Sequence, residues 1–524
     1  MRRGYWLALL LLSLLVATLA AVWVREPGYM DAEYYFATGR ELAAGQGFHE
    51  PFLWNYLDDP EGLPHPSHLY WMPLVSLLSA AAMTVGPDIF RVAQVPFVLM
   101  AAGIPLLTAC MALRLGAKER QALLAGLLAI FSGFFLPFFV TTDAFSVYSL
   151  LGGGLLLILA DARSRGDWWR WLLAGILAGL AHLARADGLF LLIPALVFLF
   201  PWQPKCWRNL LLLAAGYLVC IMPWMLRNLA VVGSLFPAGS GHTLWMLNYD
   251  ELYSYPAALL TPQRWWNAGL GAALLVRGNA MLGNLATLLV VDGFIFLAPL
   301  ILVGAYRLRR QTLVRPALAY LLALFLFMSL VFPFAGMRGG FFHSSAALLP
   351  LLWALAPIGL EQVVAWVSAR RTWDARAALR IFEAGMVALA GLASVWLYWR
   401  AVIGPQPKLP RWERAFDTYR VAGSQLASLD CDIGLVAVNN PPGFFLATGL
   451  PAVVIPDGGE ETLRQVSQRY AVEWIVLEAN HPYGLDALYA EERLPAWMSL
   501  ERQFEDADGR PVLLFHVAGE EGEE

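Results

Sequence analysis

Long apolar runs alternate with short clusters of charge along almost the whole chain. The first apolar run, Leu7 to Val24, follows Arg2 and Arg3. Further runs fall at 88–113, 121–140, 144–160, 170–184, 188–202, 209–226, 284–306, 316–334, 345–369 and 379–400. A helix of about 20 apolar residues crosses a bilayer. The pattern therefore predicts a polytopic α-helical membrane protein with about eleven transmembrane helices. The opening run also has features of a signal peptide, but its length favours an uncleaved helix with a cytoplasmic amino end.

The run Leu69 to Gly86 decides the topology, because it is of marginal length and contains Pro73. Were it a span, Asp31 and Asp143 would face opposite compartments. Laid along the interface as a juxtamembrane helix, it puts every basic loop on the inside. Those loops carry Arg114/Lys118/Arg120, Arg163/Arg165/Arg170, Lys205/Arg208, Arg307/Arg309/Arg310/Arg315 and Arg370/Arg371/Arg376/Arg380. Positive residues in short loops favour the cytoplasmic side, so the interfacial reading is preferred.

This arrangement divides the chain into a membrane domain, 1–403, and an extracytoplasmic domain, 404–524. The membrane domain has a first outer loop at 25–87 and a long outer connection at 227–283, whose segment Pro262 to Gly278 looks amphipathic. After the stiff linker Gly404-Pro-Gln-Pro-Lys-Leu-Pro410 come predicted helices at Arg411–Leu429 and Glu460–Tyr470. Predicted strands at Ile433–Val438, Ala452–Ile455 and Trp474–Leu477 alternate with them, and a hairpin turns at Asp508-Gly509. Alternating strands and helices indicate a small α/β domain.

Composition agrees with a membrane location: 59% of the 524 residues are hydrophobic and 15% charged. A net charge of −4 offers no basic surface for nucleic acid. The four cysteines have neither disulfide nor zinc spacing.

The polar residues at the outer ends of the runs carry the candidate chemistry. They are Asp31 and Glu33 among Tyr29, Tyr34, Tyr35 and Phe36, then His65 and His68 beside Tyr70, then Asp143, Arg185, Asp187, Arg227, Arg338 and His343. Any one of them is explained by a solvated helix end or a snorkelling side chain. Several ionisable groups at one depth instead mark a substrate path. By ligand type alone, Asp31 and Asp143 could hold a divalent metal ion.

The order of Met30-Asp-Ala-Glu-Tyr-Tyr35, Thr142-Asp-Ala-Phe-Ser146, Ala184-Arg-Ala-Asp-Gly188, Met222-Pro-Trp-Met-Leu-Arg-Asn228 and Gly340-Phe-Phe-His-Ser-Ser345 resembles the GT-C fold. That class of integral-membrane glycosyltransferases includes protein O-mannosyltransferases, aminoarabinose transferases and related bacterial enzymes. The resemblance implies transfer of a hexosyl or pentosyl group from a polyprenyl-phosphate-linked donor to a glycan, lipid or protein acceptor at the outer face of the plasma membrane, with inversion. It implies catalytic roles for Asp31 and Asp143. Substrate-binding roles fall to Glu33, Tyr35, His65, His68, Tyr70, Arg185, Asp187, Arg227, Arg338 and His343. Independently of the resemblance, arginines at headgroup level suit a lipid phosphate. Two other readings are a flippase for lipid-linked sugars, which would call for internal repeats, and a receptor with an outer sensory domain.

Overall fold

The computed structural model describes residues 1–165, 167–199, 204–237 and 239–518. The side chains of Arg163, Arg165 and Lys205, counted among the inner charges, lie outside the described residues, as does the tail 519–524. Among the described residues seven helices are long and apolar enough to cross a membrane, or eight if Glu119–Ile130 and Gly133–Phe139, bent by 49°, form one span. The chain is a multi-pass membrane protein.

Three expected spans are shorter than a full crossing. Trp168–Ala184 has 17 residues, and Ala186–Leu199 and Val314–Leu330 are likewise short apolar helices. The predicted span 284–306 differs more. An apolar helix begins at Leu270 and runs to Asp292, inside the segment expected to be an outer loop. It breaks at Phe294 and Ile295, both at positive φ, and Ala298–Leu308 forms a separate helix. Arg277 makes the stretch look amphipathic in sequence. In the fold its guanidinium lies over the Trp265 ring and donates to Leu330 O at 2.9 Å and Ala273 O at 3.1 Å, which lets the charge sit among apolar residues.

Helix α1, Arg3–Trp23, ends where Val24 departs from helical geometry. Its carbonyls are satisfied from outside: Gln94 donates to Val24 O and Tyr398 to Ala20 O. Helix α2, Met30–Ala43, follows at once, and Ala32 and residues 33–39 are buried. Asp31 and Glu33 lie in its first turn, where the positive end of the helix dipole favours carboxylates. Two positions is roughly 200° around a helix, so the two acids leave α2 on opposite sides. Helix α3, Leu74–Met83, spans ten residues, or roughly 15 Å, about half a hydrocarbon core. It packs on α2, with Ser76 hydrogen-bonded to Thr38 at 2.8 Å.

Close backbone approach joins Trp168–Ala184 to Pro204–Val232. A Cβ at Gly175 would lie 2.1 Å from Leu213 O, and one at Gly216 would lie 2.2 Å from Leu172 O. Small residues at such crossings replace the hydrophobic drive that lipid cannot supply.

Strands β1, His49–Glu50, and β3, His65–Pro66, pair antiparallel within the first loop. The loop's other strand, β2, Phe52–Leu53, joins a sheet built otherwise from β4, Leu435–Val438, β5, Ala452–Val454, β6, Val472–Leu477, β7, Met498–Glu505, and β8, Pro511–Val517. The order is β2-β5-β4-β6-β8-β7, parallel from β2 to β6 and antiparallel beyond. Buried residues cover both faces. Val453, Ile475 and Phe515 lie in one cluster, and Val436, Val476 and Leu514 in the other. The predicted α/β region thus completes its sheet with residues some 400 positions upstream.

Candidate active site

Asp31, Asp143 and His343 come from three separate connections and meet. Thr142 donates to Ala32 O at 2.8 Å and Thr141 to Pro27 O at 3.1 Å, which ties the approach to Ala144–Arg165 against the start of α2. Asp143 is fully buried and accepts the backbone N–H of Ala144 and the Tyr29 hydroxyl. His343 stacks on Phe145 with ring centroids 4.1 Å apart. Its Nε2 lies 3.0 Å from Asp143 Oδ2 and 3.7 Å from Asp31 Oδ2. Its Nδ1 bonds Gly339 O at 2.9 Å, in a turn that Gly339 makes at φ +131°, a conformation open to glycine. That bond places the Nδ1 proton and turns Nε2 toward the two acids.

The two carboxyl groups differ. Asp31 keeps its side chain 31% exposed, and burial together with the charge of Asp143, opposed by His343 and Arg185, pushes it up to about 6. Burial also acts against ionised Asp143, but the charge and hydrogen bond of His343, the Tyr29 hydroxyl and the Ala144 N–H outweigh it and hold Asp143 below the usual range. A pair driven apart in this way supplies one permanent anion and one group that can exchange a proton near neutrality.

One ligand atom from each of Asp31, Asp143 and His343 lies within 4.8 Å of the others. Two carboxylates and an imidazole, with the far nitrogen of the ring already bonded, suit a divalent cation. His343 completes the pair expected from sequence.

Arg185 and Asp187 stand behind the cluster. Arg185 Nε bonds Asp187 Oδ1 at 3.1 Å, and Ser344 donates to Asp187. Tyr320 donates to Ser344 O at 3.0 Å and lies 3.2 Å from the Tyr148 hydroxyl. Arg338 is exposed, and its guanidinium lies 4.9 Å from the Tyr249 ring centroid. Among the described residues no carboxylate pairs with it, unlike Arg185. Tyr35 is buried and feels the charges of Asp143 and Asp31, and Tyr70 that of Asp31.

The other expected site residues go elsewhere. Glu33 is buried and accepts a hydrogen bond from Asn440 at 2.7 Å, on the far side of α2 from Asp31. His65 bridges Glu50, at 3.4 Å, and Asp58, at 3.1 Å. Burial alone would lower its pKa, but hydrogen bonds to Asp58 and Glu50 outweigh that and raise it to about 9. His68 lies among Ser67, Ser76 and Thr38, and burial, with Arg227 nearby, lowers it to about 3. Arg227 donates to Phe48 O at 3.1 Å and sits over Trp224. His65, His68 and Arg227 spend their polar atoms on the first loop and its neighbours, and Glu33 spends one carboxylate oxygen on Asn440. Tyr29, Ser344 and Tyr249 belong to the site without having been picked out as site residues. Tyr29 and Ser344 are one or two positions from named candidates, and Tyr249 carries no local signal.

The family model of dolichyl-phosphate-mannose-protein mannosyltransferases matches residues 65–226. No curated protein matches the chain. Among solved structures, ArnT from Cupriavidus metallidurans bound to undecaprenyl phosphate is 14% identical, with a TM-score of 0.59, the match covering 100% of both chains. The apo oligosaccharyltransferase of Archaeoglobus fulgidus is 15% identical, with a TM-score of 0.54, over 91% of this chain and 70% of that one. AglB of the same organism, in complex with an inhibitory peptide and a dolichol-phosphate, is 14% identical at TM-score 0.54, over 100% of this chain and 75% of that one.

Proposed function

From the GT-C fold that this chain shares with ArnT and AglB, we propose that it is a glycosyltransferase. It moves a hexosyl or pentosyl group from a polyprenyl-phosphate donor to a glycan, lipid or protein acceptor, at the outer face of the plasma membrane. The observation that carries this reading is the meeting of Asp31, Asp143 and His343 beside an arginine that no described carboxylate neutralises. Both neighbours bind a polyprenyl phosphate, undecaprenyl phosphate in ArnT and a dolichol-phosphate in AglB, and a headgroup-level cation is what such a ligand requires.

Asp31 acts as the base. It takes the proton of the acceptor hydroxyl as the acceptor oxygen bonds the anomeric carbon. The bond from that carbon to the phosphate oxygen breaks, and the polyprenyl phosphate leaves with the electron pair, with inversion. Arg338 holds the phosphate, whose charge grows in the transition state, where stabilisation counts most. Asp143 holds His343, and Tyr29 holds Asp143. A divalent cation bound by Asp31, Asp143 and His343 would supply electrostatic stabilisation of an anionic oxygen.

The basic inner loops support an outer placement of the site and of residues 404–524. Mass spectrometry of lipid-linked intermediates and envelope glycans, with and without the gene, tests the reading. Loss of the gene should accumulate an outward-facing polyprenyl-phosphate sugar and leave a glycan short of it. Unchanged donor and glycan pools would refute the assignment.

A further inference from the structure

Two contacts from the last quarter of the chain grip the start of α2 from separate points. At one, Trp412 lies against Gly28, whose φ is +94°. A Cβ there would stand 2.0 Å from Trp412 Nε1, so only glycine admits the indole. The indole N–H is shared between Glu26 O at 3.1 Å and Pro27 O at 3.2 Å, and the ring meets Tyr29 edge-on at 5.8 Å. Tyr29 in turn donates to Asp143. At the other, Asn440 Nδ2 donates to Glu33 Oε2 at 2.7 Å. Asn440 is itself fixed, because its Oδ1 accepts the Gly443 N–H as the cap of Pro441–Thr448. Gly443 backs the same carboxylate, since a Cβ there would lie 2.9 Å from Glu33 Oε2.

The place of these contacts in the sheet matters. Asn440 follows β4, Asp457 follows β5 and Glu478 follows β6, so they mark the carboxyl edge of the parallel strands. Asp457 N–H donates to Tyr253 O at 3.0 Å, so this edge also meets the long outer connection. In open α/β sheets the crevice at that edge is where ligands bind. Here Asn440 at that edge engages α2 of the membrane domain.

We infer that residues 404–524 form a positioning element for the acids of the membrane domain, with Asn440 acting through Glu33 and Trp412 through Tyr29. The inference rests on the transferase reading for its effect on turnover. Among the described residues the nearest side-chain partner of Asp31 is His343, at 3.7 Å and beyond hydrogen-bond reach, so its place depends on how firmly the first turn of α2 is held. A displacement of about 1 Å in a reacting group costs on the order of 10²-fold. Glu33 and Asn440 are positioning residues in this account.

The test uses the full-length protein in nanodiscs with a panel of undecaprenyl-phosphate sugars, comparing wild type with Asn440→Ala and Trp412→Ala. Turnover should fall about 10- to 100-fold with the donor KM unchanged. Backbone amides of residues 29–36 should exchange hydrogen roughly tenfold faster, while those of 149–160 stay as in wild type. Glu33→Gln, which keeps an oxygen for Asn440, should exceed Glu33→Ala in turnover by about tenfold. Where an alanine variant does not fold, Trp412→Phe and Asn440→Ser carry the same comparison. Wild-type turnover with unaltered exchange at 29–36, or a loss confined to donor KM, would overturn the inference. If wild type turns over no lipid-linked sugar, the transferase reading fails, and the exchange data still decide whether the outer domain holds α2.

Discussion

The molecule contains two groups of the same composition, an imidazole with two carboxylates, and they do different things. Glu50, His65 and Asp58 lie within one loop. Asp31, Asp143 and His343 come from segments more than 300 residues apart in the extreme case. In the first group the ring spends both nitrogens on the two acids, 3.4 and 3.1 Å away, and the arrangement closes on itself. In the second, one nitrogen is committed to a backbone carbonyl, the other faces two acids, and Asp31 stays partly exposed. A ring with both nitrogens committed inside one loop is a structural clip, and a ring that gathers acids from distant segments around a partly exposed carboxylate is a site. Residue type does not separate the two. Connectivity and the exposure of the carboxylate do.

The comparison can be broken or sharpened by substitution. Asp31→Asn should lower sugar transfer about 10²- to 10⁴-fold, the usual share of a general base, with monodisperse protein retained. Near-normal transfer from an undecaprenyl-phosphate sugar would take the base role away from Asp31. Arg338→Ala should lower kcat/KM for the donor about 10- to 100-fold, as loss of a charge-assisted phosphate contact does. A donor titration showing no change would send the phosphate to Arg185. His65→Ala should leave the chemistry of the assembled site in place while costing on the order of 3 kcal/mol of stability, because buried Glu50 and half-buried Asp58 lose their partner. Thermal unfolding of the purified protein reads this directly.

The smallest effect is one of pH. A folded-state pKa for His65 of about 9, raised above its ordinary value, means its stabilising share is fully present below about pH 6.5 and is lost as pH rises through 9. The unfolding midpoint of wild type should therefore fall toward that of His65→Ala between those limits. A constant gap between the two proteins would show that His65 is not the charged bridge.

What the sequence disclosed follows the same division. Apolar length marked most membrane helices, and charge at helix ends marked Asp31, Asp143 and His343, which the fold brings together. The marginal apolar run around Pro73 forms only the ten-residue α3, too short to cross a bilayer. The helix starting at Leu270 was hidden by Arg277, whose cost is met by the Trp265 ring and by Leu330 O, a partner 53 positions away that no local window contains. Glu33 was misread for a similar reason. Its neighbour Asn440 lies 407 positions away, so proximity to Asp31 in sequence suggested a shared role that the turn of the helix denies. His65 and His68 had the right chemistry for a site and, in space, partners that use it up.

The short strand β2 has a bearing on biogenesis. It is made early, with the first loop, yet its hydrogen-bonding partner β5 leaves the ribosome roughly 400 residues later. Until then the loop has an unmated edge, and the last domain, severed and expressed by itself, would present the complementary raw edge of β5 to any passing strand. Neither piece is finished without the other, so assembly of this protein closes only when its last segment returns to its first.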